Sequence, residues 1–168
     1  MAPVLSFTAE EVWKFIPQTK EHKESVFLTT FPKVRPQYQD EKLAERWGKL
    51  LSVRKEVTKA LERARREREI GHSLDAEVQI SAPPALTSVL NSYLKDLAEI
   101  FIVSHVELTE KPAEINFESE TIPGLKIMVK AYNYPKCERC WRRQPSVGKN
   151  KTYPTICNRC VEVMQALT

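Results

Sequence analysis

An α+β chain is what this sequence predicts: an N-terminal helical remnant and a long amphipathic helix, then a small β-α-β-β unit, then a compact cysteine-bearing end-piece. Three observations carry that expectation. From Asp40 to Ile70, apolar residues recur at offsets of 3, 4 and 7, the stripe of one helix face. Between residues 74 and 131 the pattern switches to period-2 alternation, broken by Pro-Pro and Pro-Gly. After that, four cysteines stand as Cys137-Glu138-Arg139-Cys140 and Cys157-Asn158-Arg159-Cys160.

Taken in order, Thr8-Ala9-Glu10-Glu11 has the form of a capping box, and the helix it opens must stop before Pro17. So short a helix cannot stand alone in water. Its Val12, Trp13, Phe15 and Ile16 need cover from this chain or from a missing neighbour. Residues 17–39 form a connector with an extended apolar stretch at Val26-Phe27-Leu28. The long helix follows, with Leu43, Trp47, Leu50, Leu51, Val57, Ala60, Leu61 and Ala64 on its apolar side. Gly71 is the natural residue to end it.

Ala76 to Ile80 alternates as a strand, and Pro83-Pro84 opens a helix running through Leu97. Ile100 to Leu108 reads as a second strand and Leu125 to Ala131 as a third. Three segments result: 1–72 as the end of a helical bundle, 73–131 as a small α+β junction domain, and 132–168 as the end-piece.

The C-x2-C-x16-C-x2-C spacing of Cys137, Cys140, Cys157 and Cys160 lies in the window of a zinc site. Two residues between cysteines let both sulfurs face one ion from a tight turn. Two such knuckles give a tetrahedral thiolate set with no position left for water or substrate, hence one structural Zn²⁺. The rivals are weaker. Disulfides suit a secreted chain, a redox pair comes singly, and iron–sulfur clusters favour other spacings.

Composition narrows the function. The chain has 168 residues, 42% of them apolar and 29% charged, which is globular composition. No run approaches the ~20 apolar residues of a membrane span, and no secretory signal opens the chain, so a cytoplasmic monomer without membrane contact is expected. The formal charge of +4 hides an asymmetry. From Lys126 to Cys160 nine cations face the single acid Glu138, a net of +8. With Tyr132, Tyr134, Trp141 and Tyr153 interleaved, this block suits phosphates together with unpaired bases. The candidate nucleic-acid contacts are Arg139, Trp141, Arg142, Arg143, Lys149, Lys151 and Arg159, joined by Arg54 and Arg66 on the long helix. His22, His72 and His105 are scattered and read as ordinary surface or packed histidines. No glycine-rich phosphate loop and no catalytic constellation is present.

Several blocks resemble one family. Met1-Ala2-Pro3-Val4-Leu5-Ser6-Phe7-Thr8-Ala9-Glu10-Glu11-Val12-Trp13 is similar to the end of the anticodon-binding bundle of class I synthetases for branched aliphatic amino acids. Arg54 to Ala64 and Ile70 to Val78 resemble the next stretch of the same enzymes. Lys136-Cys137-Glu138-Arg139-Cys140-Trp141 and Ile156-Cys157-Asn158-Arg159-Cys160 resemble the C-terminal zinc finger of bacterial-type isoleucyl-tRNA synthetases. The resemblance implies a tRNA-binding part of a longer ligase, with isoleucine-accepting tRNA and the catalytic body as partners. Met1 then reads as an internal methionine. The His-x-Gly-His and Lys-Met-Ser-Lys motifs of the class, and its editing domain, do not occur in the sequence, so no ligase activity is expected of it alone. Two alternatives stay open: a purely structural zinc staple, and a DNA-binding zinc ribbon like those closing some repair glycosylases.

Overall fold

The computed structural model describes residues 1–17, 22–110 and 114–167, and these fall into two compact units, Met1–Asp40 and Glu41–Thr168. Residues 18–21 of the connector lie outside the described set.

In the first unit, α1 spans Ser6–Trp13. It begins two residues before the expected cap, so Thr8 sits inside the helix and the capping box is not formed. A turn at Met1–Leu5 nucleates it instead, with the Val4 and Leu5 amides donating to the Met1 carbonyl. The stretch Val26–Leu28 is a 3₁₀ turn, not an extended segment. Ser25 caps it, and the Glu10 carboxylate accepts from the Ser25 hydroxyl at 2.9 Å and the Val26 amide at 3.1 Å. No described residue of this unit is buried: Phe7 is 94% exposed and Phe15 79%.

The second unit is built on α2, Glu41–Arg66. Leu50, Val53, Val57, Ala60, Leu61 and Ala64 are buried on one face, as the periodicity requires. Leu43, Trp47 and Leu51, expected on that face, stay exposed, with Trp47 edge-on to Tyr93 at 5.9 Å. The helix ends earlier than Gly71. Arg68 takes the left-handed conformation (φ 61°), its amide reaches the Arg65 carbonyl, and the Glu69 amide reaches Ala64, a Schellman closure with arginine where glycine is usual.

Strand β1 (Ala76–Ser81) alternates buried and half-buried residues. The expected single helix after it is two: α3 (Pro84–Ser92) stops at Tyr93, behind the weak helix formers Asn91 and Ser92, and α4 spans Leu97–Ile100. A second Schellman closure then replaces the start of the expected strand. Ile102 is left-handed (φ 58°) and the Val103 amide donates to Ala98. Strand β2 therefore covers only His105–Leu108. A short β3 (Phe117–Glu118), absent from the periodicity reading, precedes β4 (Lys126–Ala131).

The sheet order is β2-β1-β4-β3. The β1–β2 pair is parallel, joined by the α3–α4 crossover, while β4 is antiparallel to both β1 and β3. Val78, Ile80, Ile127 and Val129 from the sheet share one core with α2, Leu90 and Leu97. A last helix, α5, spans Asn158–Ala166.

Candidate metal centre and nucleic-acid interface

The first knuckle is the tip of a minimal hairpin. Lys136 bridges Arg143, the Cys137 amide donates to the Arg142 carbonyl at 2.9 Å, and the Trp141 amide returns to the Cys137 carbonyl at 2.8 Å. Closing so tight a loop forces Trp141 to φ 63°, which turns its ring outward, 60% exposed. In the second knuckle Cys157 is the N-terminal flanking residue of α5 and Cys160 lies in its first turn, where the helix dipole favours negative sulfur. The Glu138 amide ties the knuckles together through the Thr155 carbonyl.

The four sulfurs lie within 4.8 Å of one another, with Cys137–Cys160 and Cys140–Cys157 each at 3.8 Å. A regular tetrahedron with metal–sulfur bonds of about 2.3 Å has edges of about 3.8 Å, so the quartet is sized for one zinc ion and not for disulfides. The Cys157 amide points at the Cys137 sulfur at 3.3 Å. Burial opposes charge on Cys137, but amides of Cys140, Cys157 and Arg139 outweigh it and bring this thiol down to about 6. Burial pushes Cys140 up to about 12. Val147 and Ile156 pack against the cysteines and supply the rest of a very small core.

The expected nucleic-acid residues separate into two groups. Arg139, Lys149 and Lys151 are exposed, as Trp141 is, with Arg139 also 3.8 Å from the Cys160 sulfur. Arg66 is exposed on α2. The others bond within the fold, Arg159 while staying exposed. Arg143 donates to Asp75 at 2.8 Å and to the Tyr134 carbonyl at 3.0 Å, and its amide meets the Ser104 hydroxyl at 2.7 Å. Arg142, 18% exposed, donates to the Ser104 carbonyl and pairs with Glu99, which also takes Arg159 at 3.0 Å. Arg54 donates to the Ile100 carbonyl at 2.9 Å, capping α4. Arg142, Arg143 and Gln144 thus dock the end-piece on the turn between α4 and β2, with Ser104 as the hub. Ser104 also donates to the Leu74 carbonyl. Periodicity and charge gave no signal for this buried serine.

Comparison with known proteins follows the same division. Residues 1–80 match the anticodon-binding domain of tRNA ligases, and residues 135–163 match the zinc finger found in FPG and IleRS. The isoleucine–tRNA ligases of Geobacter sulfurreducens and Syntrophotalea carbinolica are each 47% identical over 98% of this chain, and that of Moorella thermoacetica is 36% identical over 99%. The chain spans 18% of the length of each of these relatives. The finger alone is shared with FPG; the anticodon-binding match ahead of it decides between the two. Identity along nearly the whole chain and both matches in this order show that the chain belongs to the isoleucine–tRNA ligase family, as a stretch of its C-terminal anticodon-binding and zinc-finger region.

Proposed function

We propose that this chain is the part of an isoleucine–tRNA ligase that holds isoleucine-accepting tRNA, while ATP-dependent ligation belongs to the catalytic body. In this reading residues 1–72 end the anticodon-binding bundle, residues 73–131 are the junction and residues 132–168 are the finger. The chain acts as a monomer in the cytoplasm and lacks ligase activity by itself. No helix among the described residues is long and apolar enough to cross a membrane. One observation carries the reading: the zinc knuckle exposes Arg139 and Trp141 together, with Lys149 and Lys151 also exposed on the finger. Cations take phosphates and an exposed indole takes an unpaired base. Arg142, Arg143, Arg159 and Arg54 then serve RNA mainly by fixing the surface that carries the others, and Arg66 is a separate exposed cation on α2.

The test is tRNA affinity against salt. Log affinity should fall by about 0.7–0.9 per log unit of salt for each phosphate neutralised. Lys149→Glu with Lys151→Glu should weaken binding and flatten that slope by about one or two. Binding that ignores both salt and the double substitution would overturn the reading.

The Ser104 dock favours one rival, a finger that only staples the chain end onto the sheet unit. Cys137→Ser with Cys160→Ser decides between them. Loss of tRNA binding with the sheet unit still folded supports recognition, and global unfolding supports the staple.

A further inference from the structure

The sheet edge beside the dock carries an aromatic ladder. The His105 imidazole lies flat on Tyr132, with centroids 5.2 Å apart and planes 7° from parallel, and Tyr134 meets Tyr132 edge-on at 4.7 Å. The rungs are held from below. The Tyr132 amide donates to the Asp75 carbonyl, the Tyr134 amide to the Tyr132 carbonyl, and Arg143 clamps the Tyr134 carbonyl. His105 itself is exposed, and it also lines a groove of about 550 Å³ between β2 and the α3–α4 turn. Asn91, Lys95 and Gln144 also line that groove, and the Gln144 amide nitrogen donates to the Ser104 carbonyl at 3.2 Å.

The charge of the groove is balanced. Lys95 and Glu107 both line it, Glu107 accepting from Gln79 at 2.7 Å, and Arg142 is paired with Glu99. A phosphate would gain little here. A planar, uncharged group with hydrogen-bonding edges would gain more, because it can lie on the imidazole and meet the amides. We infer that His105 and its groove bind one unpaired RNA nucleobase, which adds a rung to the Tyr134–Tyr132–His105 stack. The Asn91 amide and the Gln144 side-chain oxygen address the edge of that base. This inference rests on the RNA-binding reading above and assigns a contact separate from Trp141. The preset ladder requires little ordering on binding, which favours affinity.

The experiment uses the full 168-residue chain with zinc bound and an RNA hairpin whose loop carries 2-aminopurine. Binding should quench the fluorophore and shift the His105 ring protons upfield. His105→Ala should weaken hairpin binding on the order of ten-fold with zinc content unchanged, and His105→Phe should stay within about two-fold of the parent. If the hairpin binds but the His105 resonances stay still, or His105→Ala binds as the parent does, this site is wrong and the tRNA reading stands. If the parent chain binds no hairpin, both fail.

Discussion

Ser104, Glu56 and Asp75 are polar groups held inside or half inside the second unit, and each meets at least one partner across a long stretch of chain. Glu56 is 2% exposed, with Lys59 and the Ser119 hydroxyl each at 2.7 Å. Burial pushes its carboxyl up, yet those partners and Thr121 more than offset this and leave it below the usual range. Asp75 follows the same pattern, with burial opposed by the Arg143 guanidinium. Both carboxyls bind protons less readily folded than unfolded. Their stabilisation is therefore complete above the ordinary carboxylate values and is lost as pH falls through the depressed ones. Thermal melts should show a midpoint flat near neutrality that drops below about pH 5. Asp75→Asn should lower the midpoint at pH 7 by the equivalent of about 1–3 kcal/mol, and the gap to the parent should close in acid. A gap independent of pH would mean that Arg143 draws no strength from the Asp75 charge. The cations of residues 126–160 were visible in the sequence, but their obligations were not. Nothing local to Arg143 announces an acid 68 positions earlier.

Two segments end on left-handed residues that are not glycine. Arg68 closes α2 and Ile102 closes α4. A β-branched side chain is costly in that conformation, and Ile102, about half exposed, has little burial to offset the cost. Ile102→Gly should raise the unfolding free energy by up to about 1 kcal/mol in denaturant titration. A loss of stability instead would show that the isoleucine side chain matters more than its backbone. The same turn explains the largest departure from the sequence reading. Ile100-Phe101-Ile102-Val103 has strand composition, yet its backbone completes a helix and reverses, because Phe101 and Val103 are buried by that reversal. Elements with many repeats of one period were legible: α2, β1 and β4. Elements decided by a single turn or by pairing were not. Strand β3 is two residues long and exists only because β4 offers it an edge. The cysteine quartet was the most legible feature, since a metal tetrahedron permits few spacings.

The chain holds two cores of different kinds in its second unit. Apolar residues from α2, the sheet, α3 and α4 form one, and three buried cysteines with Cys140, Val147 and Ile156 form the other. Only the second depends on an ion, since metal binding is most of the folding free energy of so small a cluster. Chelation should therefore release amide protection across residues 132–167 while residues 41–110 keep theirs, as hydrogen exchange can follow. Simultaneous loss in both regions would show that the finger supports the sheet core. In the first unit, α1 and its turns leave every described residue at least partly exposed, as expected of a surface made to be covered.

The Ser104 linkage has a kinetic meaning as well. It joins residues 39 positions apart, and the Asp75–Arg143 pair spans 68. Contacts that span so much chain bear a loop-closure cost and are slow to form. The knuckles and the βαβ crossover can each take shape from neighbours close in sequence. Assembly thus has a natural order, two small pieces maturing separately and then latching, with the latch the last step to close and the first to open.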